Sequence, residues 1–286
     1  MTSDLEDDRT RPAGPGLVAR YIERAESPWL PAFFAAYDAA FILEDEKEDL
    51  EGFRACLRLN QGSAHETLSA RYGDYRELII ALFEDGAIRP VAAANFIVFA
   101  GTGGPVTVSL SYIFVEKSQR RRGLFGKLLH LVREEAEALY GTGRTGPLIF
   151  IEINDPVEMS AEDYERDSGH AGLDQVERLR IWDRRGARLV AFPYRQPPLS
   201  DSQSSESDLL LGVMGAASNA LPACEFLAHL ERFFAVTVLK GNDPDDVPVA
   251  AHQLDLLREA CRNGQEIPLR GFDDVFARAA TLKTAP

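Results

Sequence analysis

The chain has 286 residues, of which 45% are apolar and 27% charged, as is ordinary for a globular protein of one large or two small domains. It has no apolar run long enough for a transmembrane helix, and its start, MTSDLEDDRTRPAGPG, lacks the features of a secretory signal. The formal net charge of −14 excludes general binding to nucleic acid, because phosphates would be repelled.

Three scattered cysteines, Cys56, Cys224 and Cys261, argue against a disulfide framework and a zinc site. They favour a reducing, cytoplasmic location. The histidines lie on separate predicted elements without metal-ligand spacing, so no metal is expected. The acidic charge leaves two explanations open, namely solubility or a preference for a cationic substrate such as an amine.

The first quarter of the chain predicts a polar start followed by helices. Residues 1–15 are rich in Asp, Pro and Gly and are expected to be disordered. Residues 18–59 show helical spacing, with a second helix starting at Asp45 or Lys47. Residues 60–73 are expected to form a loop or a broken helix. The residues that share one face of the first helix are Trp29, Phe33, Phe34, Tyr37 and Phe41.

The middle of the chain predicts an antiparallel meander followed by alternating helices and strands. The three strands of the meander are expected at 77–83, 91–99 and 106–115. Later elements are a helix at 123–139, a strand at 148–153, a polar stretch at 155–173, a helix at 174–185, and strands at 187–192 and 209–214. The tail from about residue 217 is predicted to be helical in two pieces, interrupted at 241–244.

Residues 112–129, YIFVEKSQRRRGLFGKLL, combine a strand, a polar turn with two glycines, and the start of an amphipathic helix. Backbone amides at such a turn and the helix dipole favour an anion. Glycine at 123 permits close approach of an oxygen, and neighbouring arginines can pair with phosphate. The alternative is an ordinary strand-to-helix connection with solvated arginines.

This run resembles motif A, the pyrophosphate loop of the GNAT superfamily of acetyltransferases. Arg120 takes the first motif position and Gly123 the central one, while Phe125 stands where Gly or Ala is usual. The resemblance implies that a CoA thioester, acetyl-CoA or another acyl-CoA, is the co-substrate. Its pyrophosphate would be bound by the loop, and its pantetheine arm by the end of the preceding strand. The residues implied are Ile113, Phe114, Val115, Arg120, Arg121, Arg122, Gly123, Leu124, Phe125 and Gly126.

Two later segments resemble the same superfamily in the right order. FIEIN at 150–154 is similar to the strand that splays away to admit the cofactor, and Asn154 to a position that often contacts pantetheine. RLRIWDRRGARLV at 178–190 is similar to the later helix–Gly–strand motif. The resemblance covers roughly residues 18–214. It implies the α/β (α+β) GNAT fold, a mixed, mostly antiparallel sheet flanked by helices, with an acyltransferase domain at 16–216 and a helical extension at 217–286.

Catalysis would require a base for the attacking amine and an acid for the departing thiolate. Trp182 stands where many GNAT enzymes have the acidic tyrosine, so Tyr194 is the candidate acid, with Tyr164 and His170 as alternatives. Glu152, a carboxylate in a strand of otherwise apolar residues, is the candidate base. Glu116 is the second candidate base. Alternatively, Glu152 is the structural ion-pair partner of an arginine.

The expected function is N-acylation of a small-molecule primary amine, with acetyl-CoA as the donor and without nucleic-acid or membrane partners. A non-catalytic acyl-CoA-binding module is the alternative, favoured by Trp182. The C-terminal helices could cap the sheet, cover the acceptor site or join two copies into a homodimer. An acidic cluster could bind a cationic acceptor or be a solvated helix face. Its members are Glu44, Asp45, Glu46, Glu48 and Asp49.

Overall fold

The computed structural model of the chain describes residues 8–43, 47–101, 103–141, 145–199 and 208–282. Glu44, Asp45 and Glu46 of the predicted acidic cluster lie outside them. The strands are β1 (Arg9–Gly14), β2 (Leu17–Ile22), β3 (Tyr75–Glu84), β4 (Ala92–Phe99), β5 (Thr107–Val115), β6 (Leu148–Asn154), β7 (Arg188–Val190), β8 (Leu209–Met214), β9 (Ala220–Pro222) and β10 (Glu266–Arg270). The helices are α1 (Leu30–Ala40), α2 (Leu50–Arg58), α3 (Gly62–Tyr72), α4 (Leu124–Tyr140), α5 (Ala161–Ala171), α6 (Gln175–Arg184), α7 (Ala223–Phe233), α8 (Pro248–Arg262) and α9 (Asp273–Leu282).

The strands of the described residues form one sheet in the order β1-β2-β3-β4-β5-β6-β8-β7-β10-β9. Neighbouring strands are antiparallel except for β5 and β6, which run parallel. A parallel pair needs a crossover connection, and here α4 supplies it. The predicted fold class, a mixed and mostly antiparallel sheet flanked by helices, is confirmed.

Apolar side chains point to both faces of the sheet, and helices cover each face. On one face, α4 packs over β3, β4 and β5, and its Leu128 and Val132 belong to the same buried cluster as Leu110 of β5. On the other face, α1 and α2 pack over β3 and the end of β5, and α7 and α8 pack over β6 and β8. The groups α1–α2 and α7–α8 therefore meet above the junction of β5 and β6, which is where the candidate site lies.

The N-terminal prediction was wrong in two places. Residues 9–14, expected to be disordered, form β1, and residues 17–22, expected to be helical, form β2. In β2, buried side chains at 17, 19 and 21 alternate with half-buried ones, and the strand pairs with β3 along its whole length. This two-residue period was hidden in the sequence because the helical pattern of α1 follows within eight residues.

Two stretches expected to be irregular contain helices. Residues 60–73, predicted as a loop or a broken helix, include α3, which buries only Leu68. The polar stretch 155–173 includes α5, whose amino-terminal amide at Asp163 is capped by the side chain of Ser160. Both helices bury little apolar surface, so hydrophobic periodicity gave only a weak signal for them.

The C-terminal region differs from the predicted pair of helices, because its β9 and β10 also extend the sheet. The cysteine prediction was also wrong, since Cys224 at the start of α7 and Cys261 at the end of α8 form a disulfide. The two helices pack against each other, which brings together two cysteines 37 positions apart. The cytoplasmic location stays a prediction and loses this support. No helix in the described residues is both long and apolar enough to cross a membrane.

Candidate active site

The site begins where β5 and β6 separate. Their paired residues run from Thr107 with Leu148 to Leu110 with Ile151, and both strands then continue without a shared register. At this point Ser111 is an extra residue in β5 relative to β4, between the pairs Phe96–Leu110 and Asn95–Tyr112. Such a bulge bends the strand locally. Beyond this point β5 and β6 no longer pair with each other, and a gap opens between them.

A cavity of about 100 Å³ lies at this gap on the face covered by α1, α2 and α7. We call it the carboxylate cavity, because three glutamates contribute to its wall. Four aromatic rings and polar groups from four strands form much of the remaining wall. The lining residues are Phe41, Glu48, Phe53, Cys56, Glu77, Asn95, Ser111, Tyr112, Glu152, Asn154, Gln196, Leu199, Leu209, Phe233, Thr237 and Val238.

Glu152 and Tyr194, the predicted base and acid, are in direct contact. The Tyr194 hydroxyl donates a hydrogen bond to Oε1 of Glu152. Burial raises the pKa of Glu152 to about 7, and this hydrogen bond opposes the rise. Burial and the neighbouring carboxylate raise the pKa of Tyr194 well above its ordinary value. Within the described residues Glu152 has no ion-pair partner, so the alternative of a structural pair with an arginine is not found.

Glu77 brings a second carboxylate to the cavity from β3. It is 1% exposed. Its backbone amide donates to Oδ1 of Asn60 at 2.8 Å, and Nδ2 of Asn60 donates to its backbone carbonyl at 2.7 Å. Asn95 Nδ2 donates to one carboxylate oxygen at 2.6 Å, and Thr237 Oγ1 donates to the other at 3.4 Å. Burial raises the pKa of Glu77 to about 7.

The third carboxylate of the cavity, Glu48, differs because it has a cationic partner. The ammonium group of Lys240 lies 2.8 Å from its Oε2 and also donates to the carbonyl of Leu199. Burial raises the pKa of Glu48, and the ion pair with Lys240 opposes the rise. Of the two described members of the predicted acidic cluster, Glu48 lines the cavity, whereas Asp49 caps α2 by accepting from the Gly52 amide.

Residues 120–126, which we call the arginine loop, connect β5 to α4. Arg121 and Gly123 have positive φ angles of 68° and 77°, and Gly123 directly precedes the helix. No described side chain caps the amino terminus of α4. A side-chain cap would normally satisfy the first amides of a helix, so this uncapped terminus suits an anion, and the pyrophosphate site expected here stays a prediction.

The arginine loop contains three guanidinium groups, and a fourth lies against it. Arg120 donates to the carbonyl of Ala171 at 2.7 Å, and Arg122 pairs with Glu84 at 2.7 Å. Burial lowers the pKa of Arg120, and the nearby Arg178 lowers it further. Arg121 is exposed. Arg185, which the sequence did not single out, covers the first turn of α4, because a methyl group on Gly126 would lie 3.1 Å from its terminal nitrogens.

The structure separates the remaining candidates from the cavity. Glu116 follows β5 and is exposed. Trp182 packs edge-to-face on Phe125, with ring centroids 5.1 Å apart, so the two departures from the family motif contact each other. Tyr164 donates to Asp174, and the His170 ring nitrogen lies 2.9 Å from the carbonyl of Ala39. None of these four belongs to the described lining of the cavity.

The predicted cofactor residues occupy the expected elements. Ile113, Phe114 and Val115 lie on the part of β5 beyond its last pair with β6, and Asn154 ends β6 at the cavity. Leu124, the first residue of α4, is buried. Their role in binding CoA stays a prediction. No group of three or more His, Cys, Asp or Glu residues in the described part of the chain could hold a metal ion.

Sequence reasoning missed the residues that reach the cavity from distant segments. Glu77 and Asn95 are polar positions inside apolar strands, the signal that identified Glu152, and it could have found them too. Thr237 belongs to one π-helical turn after α7, Phe234–Val238, a widened turn of a kind frequent at functional sites. Nothing in the sequence linked it to Glu77.

No protein-family model matches the chain, and no curated protein matches it. Solved structures are similar over most of its length. A protein from Desulfovibrio desulfuricans, assigned to the acetyltransferases of the GNAT family, is 14% identical and covers 70% of this chain and 98% of its own, with a TM-score of 0.41. The ribosomal-protein-S18-alanine N-acetyltransferase of Escherichia coli is 16% identical (71% and 96% covered, TM-score 0.39). NAA60 of Arabidopsis thaliana in complex with acetyl-CoA is 12% identical (71% and 99% covered, TM-score 0.40).

Proposed function

We propose that the chain is an acyl-CoA-dependent N-acyltransferase of the GNAT type. It transfers an acetyl group from acetyl-CoA to the primary amine of a small molecule, by direct attack while both substrates are bound. The observation that carries this proposal is the position of Glu152. A carboxylate with a pKa near 7 lies in a cavity at the point where β5 and β6 separate.

The arginine loop fits the pyrophosphate of an acyl-CoA. The uncapped amides of α4 and the positive end of its dipole favour phosphate oxygens. Arg121 and Arg185 add charge at the same place. The splayed part of β5, residues 113–115, and Asn154 would contact the pantetheine arm. When bound, the thioester supplies an activated acyl group.

The pair Glu152–Tyr194 would carry the proton from nitrogen to sulfur. Glu152 takes a proton from the amine as the N–C bond forms, and the C–S bond breaks in the same addition–elimination sequence. The pair then returns that proton to the departing thiolate, so that the products are an amide and a free thiol. A carboxylate with a pKa near 7 can both accept and release a proton at neutral pH. The high pKa of Tyr194 favours a positioning role for its hydroxyl, which holds the carboxylate through a hydrogen bond.

We also propose that residues 16–216 form the acyltransferase domain and that the extension at 217–286 completes its acceptor site. Phe233, Thr237 and Val238 of the extension line the carboxylate cavity. The acceptor would be enclosed between this segment and α1–α2. That arrangement favours a small molecule over a long polypeptide.

A non-catalytic acyl-CoA-binding module remains the second candidate, since Trp182 replaces the usual acidic tyrosine and packs on Phe125. Calorimetry with acetyl-CoA and longer acyl-CoAs separates the outcomes at the first step. We expect binding that Arg120→Ala combined with Gly123→Pro abolishes. Thiol release with a panel of primary amines then tests turnover. Binding without turnover would favour the module, and no binding to any acyl-CoA would contradict both candidates.

A further inference from the structure

Glu77 is a buried carboxylate for which the proposed chemistry has no use. It lines the same cavity as Glu152 but is placed on β3, two strands away from β5, and belongs to the wall near Cys56 and Thr237. Its 1% exposure removes it from bulk water. A carboxylate buried in this way is costly unless a charged or hydrogen-bonding partner compensates it.

The hydrogen-bond donors that the chain provides do not fill all the acceptor sites of this carboxylate. A carboxylate offers about four acceptor sites. Glu77 receives a hydrogen bond from Asn95 at 2.6 Å and a long one from Thr237 at 3.4 Å, and both donors are neutral. Among the described residues no basic side chain pairs with it. Glu77 lines the cavity, so a ligand bound there could use the remaining acceptor sites.

Glu48 gives an internal comparison. It lines the same cavity, and the chain neutralises it with Lys240 at 2.8 Å. Glu77 and Glu152 are the two glutamates of the described lining that lack such a cation. In the proposed reaction, the amine that is acylated contacts Glu152. Glu77 is then available to a second hydrogen-bond donor on the same ligand.

The rest of the wall also suits a cation. Phe41, Phe53 and Tyr112 line the cavity, and the Tyr112 ring packs edge-to-face on the other two, with ring centroids 5.4 Å from Phe41 and 5.8 Å from Phe53. Aromatic faces attract ammonium groups, most strongly when water is excluded. Carboxylates and aromatic rings in one small cavity are a combination that recognises an alkylammonium group.

We propose that the acceptor is a diamine-class molecule whose second, unreacted ammonium group binds the carboxylate of Glu77. The inference rests on the proposed acyltransferase function and narrows its substrate class. Glu77 then determines specificity, since it holds one end of the acceptor while the other amine reaches Glu152. Monoamines would lack this anchor and leave the carboxylate buried without a partner.

The test compares α,ω-diaminoalkanes of three to six carbons with n-alkylamines of equal length, by thiol release from acetyl-CoA. We expect at least one diamine to exceed its matched monoamine in kcat/KM by about thirtyfold or more, the effect of losing one partner of a buried charge pair. Glu77→Gln keeps the shape, because its Oε1 can still accept from Asn95 while its Nε2 can donate to the hydroxyl oxygen of Thr237. It should remove most of this preference by lowering kcat/KM for the diamine toward the value of the matched monoamine.

The control variant is Glu51→Gln, which removes an exposed carboxylate of α2 that pairs with Arg58 outside the cavity. It should keep the preference, and an unchanged acetyl-CoA affinity of Glu77→Gln would show that this variant is folded. Equal rates for diamines and monoamines in the unmodified protein would overturn the inference and leave the acyltransferase proposal intact. If no amine is turned over, calorimetry with the same diamines in the presence of CoA decides. Binding that Glu77→Gln loses would support the cation site, and no binding would overturn it.

Discussion

The arginine loop and the carboxylate cavity are built in opposite ways. The loop is continuous in sequence, exposed and basic, and its function depends on backbone amides and two positive φ angles. The cavity collects side chains from β3, β6, the segment before α2 and the C-terminal extension, and it is buried and acidic. A site of the first kind can be recognised from a short motif, whereas a site of the second kind exists only after folding. In the function we propose, the first binds the donor and the second the acceptor.

Glu152→Gln should break the chemistry of the cavity and leave the loop intact. We expect kcat to fall by about a hundredfold or more, because general base catalysis contributes a factor of this order. Acetyl-CoA affinity by calorimetry should be unchanged, since Glu152 is not part of the loop. Steady-state thiol release provides the measurement, with Glu51→Gln as a folded control. An unchanged rate would contradict the base assignment, and loss in Glu116→Gln instead would transfer it to the second candidate.

Replacing Cys224 and Cys261 by serine should loosen the cavity wall. The disulfide joins the start of α7 to the end of α8 across 37 positions. Crosslinks that close loops of this size stabilise a protein by about 3 kcal/mol. We expect the free energy of unfolding in urea to fall by about that amount, with acetyl-CoA affinity retained.

Thiol titration provides the independent check on the disulfide. The unfolded, unreduced protein should expose one thiol, from Cys56, and three after reduction. Three thiols before reduction would mean that the two cysteines are not joined in the protein as purified. That result would restore the cysteine argument for a reducing compartment.

Gly123→Ala should affect the loop and spare the cavity. Alanine at φ near +77° costs roughly 1–2 kcal/mol, so the backbone is expected to relax and turn its amides away from the phosphate. Acetyl-CoA binding should weaken by about tenfold in calorimetry. Gly264→Ala is the matched control, since Gly264 has φ +62° and open space around it in the turn before β10. Equal binding by the two variants would contradict the role of the loop.

The same difference explains how much the sequence predicted. The loop was identified because β5, the glycine turn and α4 are adjacent in the chain, so that one motif contains the whole site. Glu152 was found because a carboxylate interrupts an apolar strand, and alternation placed it on the face of Asn154. Its contact with Tyr194 joins positions 42 residues apart, and only the packing of the segment after β7 against β6 brings them together.

The missed features depend on contacts between distant segments. Thr237 contacts Glu77 from 160 positions away in the sequence, and it lies in a widened helical turn that hydrophobic periodicity does not predict. The Cys224–Cys261 pair was missed because an odd number of cysteines was taken as evidence against any bridge, although two could pair and one remain buried. In each case the information lies in how α7 and α8 pack on the sheet.

The smallest expected effect is that of Tyr194→Phe, and it distinguishes positioning from acid catalysis. The Tyr194 hydroxyl donates to Glu152 and favours its charged form. Removing one such hydrogen bond, worth about 1 kcal/mol, should raise the pKa of Glu152 from about 7 by about one unit. A base must be deprotonated to act, so kcat/KM rises with pH through the pKa of Glu152. The rising limb should therefore move to higher pH by that unit.

The size of the loss at different pH values then separates the two roles. If Tyr194 only positions Glu152, the variant should lose about tenfold in kcat/KM below pH 7 and approach the unmodified enzyme at pH 9, where Glu152 is charged in both. If the hydroxyl instead protonates the thiolate, kcat should fall at every pH, because phenylalanine has no proton to give. A pH profile of the two proteins, measured at saturating acetyl-CoA, therefore decides whether the cavity needs its tyrosine for geometry or for chemistry.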